Sequence, residues 1–173
     1  WTSEKKGYNH IYLKGFDGSE EQITSGSWEV SSFYGLDSDK MQIFFSSTED
    51  GSINRSVYML DLETGKREKI STRIGSNSAK FSKGLKYFIN TFSDANTPPI
   101  YTLHKADGTL IKTIEDNKEF TEKLSNYQIS KKEFLTVYTE NADLNSWIIK
   151  PPNFKKNKKY PCLLYTSPSP RDP

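Results

Sequence analysis

The chain has 173 residues, 34% of them hydrophobic and 13% aromatic, with a formal net charge of +2. That length allows one domain, or one and a fraction, and the near-neutral charge gives no global attraction to nucleic acid. Cys162 is the only cysteine, which excludes a disulfide framework and Cys/His zinc spacing and leaves the redox compartment undecided. Ten tyrosines and ten phenylalanines can bury large areas on a few short strands. With frequent Asp-Gly and Ser-Gly turns, this composition favours a β protein over a disordered one. No signal peptide or membrane span is visible. A start on Trp1, without an initiator methionine and on an apparent strand, leads us to expect truncation there.

Three segments share one grammar of strand, glycine turn and strand. His10-Ile11-Tyr12-Leu13 leads through Asp17-Gly18 to Gln22-Ile23-Thr24. Ser56-Val57-Tyr58-Met59-Leu60 leads through Thr64-Gly65 to Lys69-Ile70-Ser71. Pro99-Ile100-Tyr101-Thr102-Leu103 leads through Asp107-Gly108 to Lys112-Thr113-Ile114. Glycine suits such hairpin turns because it tolerates positive φ. Between the hairpins lie the apolar runs Met41–Phe45 and Leu85–Phe92, each after a turn (Asp37–Asp39 and Ser82–Gly84). The shorter runs Trp28-Glu29-Val30 and Ser78–Phe81 precede those turns, which makes four strands per period.

Tyr12, Tyr58 and Tyr101 mark a period of roughly 45 residues, and four short strands in such a repeat predict a β-propeller blade. The residues predict an all-β chain of about two and a half blades, with apolar faces and edges left open. A β-sandwich with chance spacing is the alternative, and it explains the recurrence of whole hairpins less well. After Ile114 the pattern changes. Asp116 and Glu119 read as a capping box, and Phe120 and Leu124 share a helical face, so a short helix is expected to end near Asn126. Glu133–Tyr138 and Asn145–Lys150 read as two strands joined at Glu140–Asp143. Tyr160-Pro161 is read as the start of a further strand. Lys155-Lys156-Asn157-Lys158-Lys159 is a solvated loop; its charges sit in one place and are not repeated on a face as a nucleic-acid module requires.

Several stretches, in order, carry a resemblance. They are Gly7-Tyr8-Asn9-His10-Ile11-Tyr12, Gly26-Ser27-Trp28-Glu29-Val30, Tyr101-Thr102-Leu103-His104 and Glu115-Asp116-Asn117. With them stand Ile149-Lys150-Pro151-Pro152-Asn153-Phe154 and Lys158-Lys159-Tyr160-Pro161. The chain resembles the dipeptidyl peptidase IV family of serine peptidases, in the prolyl oligopeptidase group. The resemblance implies the last, C-terminal blades of a β-propeller, each of four antiparallel strands, at 1–118, a short helix or linker at 119–126, and the first strands of an α/β-hydrolase domain at 127–161. It implies a parent enzyme, a homodimer, that removes dipeptides or tripeptides from peptides with a penultimate Pro or Ala. It also implies a periplasmic, secreted or membrane-attached location. The family's Ser-Asp-His triad uses a G-x-S-x-G elbow, which this sequence does not contain. No catalytic, cofactor or metal residue is therefore assigned, no cofactor is expected, and this piece alone is expected to be inactive. Ser167 falls where the family has an oxyanion tyrosine. Residues 162–173 resemble a translated sequencing adaptor and are expected to be foreign to the protein.

His10 and His104, the only histidines, are expected to make structural hydrogen bonds in blade strands and not to act as bases. Glu29 is expected to be a blade-strand carboxylate bound to backbone or to a neighbouring blade. Asp37, Asp39, Glu49 and Asp50 lack the ordered ligand pattern of a calcium loop. Trp147 and Tyr138 are expected to pack between the last hairpin and its neighbours. Two other functions remain open: a non-catalytic propeller that binds proteins or peptides, and another peptidase of the same group with an acylaminoacyl or oligopeptide specificity.

Overall fold

The computed structural model describes residues 1–165. The chain forms three antiparallel sheets in sequence order, then a helix and a two-stranded hairpin. The first sheet contains β1 (Thr2–Ser3), β2 (His10–Lys14) and β3 (Glu20–Gln22). The second runs β4 (Val30–Asp37), β5 (Gln42–Ser47), β6 (Ser56–Asp61), β7 (Arg67–Lys69). The third repeats that order with β8 (Ser76–Phe81), β9 (Tyr87–Ser93), β10 (Ile100–Lys105) and β11 (Leu110–Glu115). Each strand pairs with its sequence neighbour, which is the up-and-down meander of a propeller blade.

The core is built on both sides of the second sheet. In β5, Ile43 and Phe45 point one way and Phe44 the other, because side chains alternate along a strand. Across the β5–β6 ladder, Ile43 pairs with Leu60 and Phe45 with Tyr58 on one face, while Phe44 pairs with Met59 on the other. The first face packs with Ile11 and Val30 against the first sheet. The second packs with Val57, Ile70 and Phe88 against the third. A strand buried on both faces reads as a continuous apolar run, and Ile43-Phe44-Phe45 is one.

Asparagine side chains reinforce the boundaries between sheets. Asn9 Nδ2 donates to Val30 O at 2.7 Å while Val30 N donates to Asn9 O at 2.8 Å. Asn77 Nδ2 donates to Arg55 O and Arg73 O, both at 2.9 Å, and Arg55 forms a parallel bridge with Ser76. These bonds satisfy main-chain groups where no ladder reaches them.

The turns that announce the hairpins repeat closely. Gly15 N–H donates to Ser19 O at 2.8 Å and Lys105 N–H to Thr109 O at 2.9 Å. Gly18 and Gly108 both adopt φ 86, the left-handed region that glycine enters without penalty. Asp17 and Asp107 accept the amides of Ser19 and Thr109, each at 2.9 Å. Asp61 does the same for Thr64 at 2.8 Å.

Counted back from the residue whose N–H closes each turn (Gly15, Asp61 and Lys105), Thr102 and not Tyr101 stands where Tyr12 and Tyr58 stand. Tyr12 and Tyr58 are 2% and 5% exposed, and Tyr101 is 37% exposed. The tyrosine repeat therefore fails in its third copy. A one-residue slip moves a side chain to the other face, while β10 itself runs without a break along β9. The expected strand at Trp28-Glu29-Val30 also moves. Only Val30 joins β4; Trp28 and Glu29 precede it, because the Trp28 ring is turned back into the first interface.

The helix α1 spans Lys118–Ser125. The capping box does not form. Asn117 occupies the N-cap at φ 54 with no side-chain cap bond, and Asp116 Oδ1 instead accepts Lys118 N at 3.0 Å. The hairpin pairs β12 (Lys132–Tyr138) with β13 (Asp143–Ile149), and Thr139 N closes its turn on Ala142 O at 3.1 Å. Trp147 and Tyr138 do not pack between elements. They are 54% and 78% exposed, since no third layer covers the hairpin among the described residues; Lys132 Nζ lies 4.3 Å from the Trp147 ring centroid. Tyr160-Pro161 starts no strand within the described residues, as no neighbouring strand offers a ladder there. Tyr160 stacks on Phe154 at 5.1 Å and its hydroxyl accepts Lys155 N, closing the lysine loop. Cys162 is exposed. Ser167 and the rest of the tail after Tyr165 lie outside the described residues.

Phe44→Ala and Phe45→Ala are each expected to lower stability by about 3–5 kcal/mol in urea titrations. Phe16→Ala, at the fully exposed tip of the first turn, should stay within about 0.5 kcal/mol. The turn aspartates set an acid limit. Hydrogen bonds from the Ser19 hydroxyl and amide lower the Asp17 pKa, those from Thr109 lower Asp107, and those from the Thr64 amide and hydroxyl lower Asp61. A depressed carboxyl contributes stability above its unfolded pKa and loses it as pH falls through the folded one. An Asp17→Asn, Asp61→Asn, Asp107→Asn triple variant should show a shallower fall in urea midpoint between about pH 4 and pH 2.

Candidate functional site

Both histidines are buried and fully engaged. His10 Nδ1 lies 3.1 Å from Thr24 Oγ1 and Nε2 lies 3.1 Å from Gly26 O. A carbonyl only accepts, so Nε2 carries the proton and Nδ1 accepts from the threonine hydroxyl. Thr24 Oγ1 also accepts Ile11 N at 3.0 Å. His104 uses the opposite tautomer: Nδ1 donates to Gly108 O at 3.0 Å and Nε2 accepts from Thr102 Oγ1 at 2.8 Å. Its ring stacks on Phe88 at 5.0 Å. Each accepting nitrogen is taken up by a threonine hydroxyl and both rings are buried away from any substrate, so both are structural.

The stretch Gly26-Ser27-Trp28-Glu29-Val30 is a joint and not a catalytic motif. Trp28 meets His10 edge-on at 4.9 Å and lies parallel to Phe45 at 6.4 Å, with the Arg67 guanidinium 5.1 Å from its ring. A Cβ on Gly26 would sit 2.2 Å from Trp28 Nε1, and Gly26 has φ 141, so only glycine fits. Glu29 binds through its main chain: its N donates to Thr48 Oγ1 at 2.9 Å and its carbonyl accepts Thr48 N at 3.0 Å. Its carboxylate is exposed on the rim of an open cleft of about 440 Å³ lined by Tyr8, Trp28, Glu49, Ser52 and Arg55. The expectation of a carboxylate bound to backbone is thus corrected to a backbone bound to a side chain.

The four acids weighed for calcium fall into two groups at opposite ends of β5. Asp37 Oδ1 accepts Asp39 N at 3.1 Å within the β4–β5 turn. Glu49 pairs with Arg67, and Asp50 accepts Ser56 Oγ and, at 3.1 Å, Lys69 Nζ. Among the described residues no group of three or more His, Cys, Asp or Glu side chains is gathered to hold a metal ion. Sequence reasoning missed the network around Asp50. Burial raises the Asp50 pKa, but the Ser56 and Lys69 hydrogen bonds and the Lys69 charge outweigh it and leave the carboxyl below its ordinary value. Burial, then the charges of Asp50 and Glu49, push the Tyr58 phenol well above its ordinary value. Nothing in the local pattern signals this, because Asp50 and Lys69 come from different strands' ends. The cluster anchors the β5–β6 loop; it presents no nucleophile.

The dipeptidyl peptidase IV (DPP IV) N-terminal region, as a family, matches residues 1–99. The chain belongs to this family. A dipeptidyl peptidase 4 of Trichophyton rubrum is 33% identical over 172 residues, covering 94% of this chain and 22% of the relative. The prolyl endopeptidase FAP of Bos taurus is 33% identical over 175 residues, with the same coverage of 94% and 22%. The chain thus spans about a fifth of the length of these relatives. Among solved structures, Porphyromonas gingivalis dipeptidyl peptidase 4 superposes with a TM-score of 0.86 at 39% identity, over 92% of this chain and 23% of that one. A putative dipeptidyl aminopeptidase IV of Bacteroides ovatus shares the fold, with a TM-score of 0.79 at 21% identity over 93% of this chain and 26% of that one. The dipeptidyl peptidase IV relatives identify the sheets as propeller blades.

Tyr58 makes a spectroscopic prediction. A phenol held above its ordinary pKa contributes stability below the unfolded value and loses it as pH rises through the folded one. Tyrosine absorbance should show one residue that stays protonated beyond about pH 10 until the chain unfolds. That residue should disappear from the titration in Tyr58→Phe.

Proposed function

We propose that the chain works within a serine-type dipeptidyl peptidase, supplying propeller blades at 1–118, a linker helix at 119–126 and the first α/β-hydrolase strands at 127–161. The reading rests on one observation. The likeness to the Porphyromonas gingivalis enzyme extends over 92% of the chain at 39% identity, a share too large for the blades alone. The substrates proposed are peptides with Pro or Ala in the penultimate position, from which the whole enzyme releases dipeptides or tripeptides. The whole enzyme is proposed to be a homodimer working in the periplasm, outside the cell or attached to a membrane.

The blades contribute shape and support in this scheme, and not chemistry. His10 and His104 are spent on hydrogen bonds, and the sequence contains no G-x-S-x-G elbow. A serine hydroxyl needs a base within hydrogen-bond reach to become a nucleophile; among the described residues none is bonded to a histidine, and Ser19 and Ser56, which meet Asp17 and Asp50, serve a surface turn and a loop anchor. The isolated chain is therefore proposed to be inert.

The purified 173-residue chain should not release p-nitroaniline from Gly-Pro or Ala-Pro p-nitroanilide. Turnover abolished by a fluorophosphonate probe would overturn the proposed inactivity. The reading frame in genomic DNA is expected to run past Tyr160-Pro161 into a G-x-S-x-G elbow. A stop codon directly after the hairpin would favour the non-catalytic binding propeller instead.

A further inference from the structure

No residue of β12 or β13 is buried. Apolar packing therefore does not hold the hairpin against the blades, and polar side chains do. Asn96 lies in the loop between β9 and β10, and its amide meets the main chain of Lys132, the first residue of β12. Nδ2 donates to Lys132 O at 3.0 Å and Oδ1 accepts Lys132 N at 2.9 Å. A main-chain N–H only donates and a C=O only accepts, so this pairing fixes which way the amide faces. The geometry copies the two-bond exchange of an antiparallel bridge, with a side chain in place of one strand.

The loop is prepared for the contact. Asp94 Oδ1 accepts Asn96 N at 2.8 Å and Asp94 Oδ2 accepts Thr97 Oγ1 at 2.9 Å. The same loop receives the start of α1, where Asn117 Nδ2 donates to Pro99 O at 2.6 Å. A second contact lies on the neighbouring sheet. Asn145 Nδ2, in β13, donates to Ser52 Oγ at 2.8 Å in the β5–β6 loop. The β5–β6 and β9–β10 loops are equivalent, each joining the second and third strands of its sheet. The hairpin thus bridges two successive blades.

We propose that the hairpin is a strap latched across two blades by Asn96 and Asn145, with Asn96 as the residue that positions it. Asn96 extends to the hairpin the device by which Asn9 and Asn77 join the sheets to one another. The latch lies outside both buried clusters, so its loss is read at the hairpin and not in the core. Exposed hydrogen bonds contribute little each, so the latch sets where the hairpin sits more than how stable the chain is.

Hydrogen exchange read residue by residue by NMR on the full chain tests this. In Asn96→Ala the Lys132 amide should exchange roughly 10-fold faster, as expected for losing two solvent-competed bonds. Trypsin should cut faster after Lys123 and Lys131. The amides of Phe44 and Phe45 and the urea midpoint should not change. Asn96→Asp keeps an acceptor for the Lys132 amide and should fall between wild type and Asn96→Ala. Asn145→Ala should loosen the turn end of the hairpin while leaving Lys132 protected. A wild-type exchange rate at Lys132 in Asn96→Ala would overturn the latch. So would an acceleration spread equally over β9, β10 and β12, which would make Asn96 a support for its own loop alone.

Discussion

The structure depends on one strand being buried twice. Phe44 and Phe45 are adjacent in β5 and point into different interfaces. Phe45 stacks near Trp28 and Tyr58, and Phe44 meets Phe81 at 4.7 Å. A sheet of four short strands cannot close a core by itself, so each face must be completed by a neighbour. Here the second sheet is completed on both sides and the first and third on one. That is why burial concentrates in β5 and β6 and fades outward, until all six residues of β11 are exposed.

The polar groups follow from this geometry. Stacked sheets meet at their loops and ends, where main-chain groups leave the ladder and need partners. Hydroxyls and amides supply them in repeated positions. Thr24 Oγ1 accepts Ile11 N, and Ser71 Oγ accepts Val57 N, both at 3.0 Å. The two histidines belong to the same class of solution, each joining a strand to the following turn or linker. Buried imidazoles with both nitrogens bonded are rigid connectors. Calling them catalytic would require undoing the bonds that hold the blades.

The hairpins were legible because their turns are local. Asp17-Gly18 and Asp107-Gly108 carry their own hydrogen-bond acceptor and their own positive φ, and neither depends on distant contacts. The continuous run Ile43-Phe44-Phe45 was equally plain. Tyr101 misled because residue type was matched, whereas Tyr101 stands one residue before the position of Tyr12 and Tyr58 and so faces the other side. Trp28 misled because an aromatic β-former was read as strand, whereas its ring folds back over Gly26 to meet His10. The Asp50–Ser56–Lys69 cluster, and the clamp of Asn96 on Lys132, were not legible at all. They join residues separated by 6 to 36 positions, and asparagine or aspartate in a loop looks the same whether it caps a turn or bridges two sheets.

The same contrast explains what the family's motifs do in this stretch. Each identifying motif that the structure describes turns out to be a joint. Gly26-Ser27-Trp28-Glu29-Val30 locks the first two sheets through His10. Thr102-Leu103-His104 closes the last outer hairpin onto Gly108. Glu115 Oε1 accepts Asn117 N at 2.8 Å, and Asn117 in turn holds Pro99, so Glu115-Asp116-Asn117 sets where the blades end and the helix begins. Phe154 and Tyr160 close the loop after the hairpin by stacking. A joint tolerates few solutions because it must satisfy donors, acceptors and a glycine conformation at once. An exposed strand face such as that of β11 needs only to be soluble. Joints therefore carry a family's identity along the chain, and they reveal architecture long before they reveal a reaction.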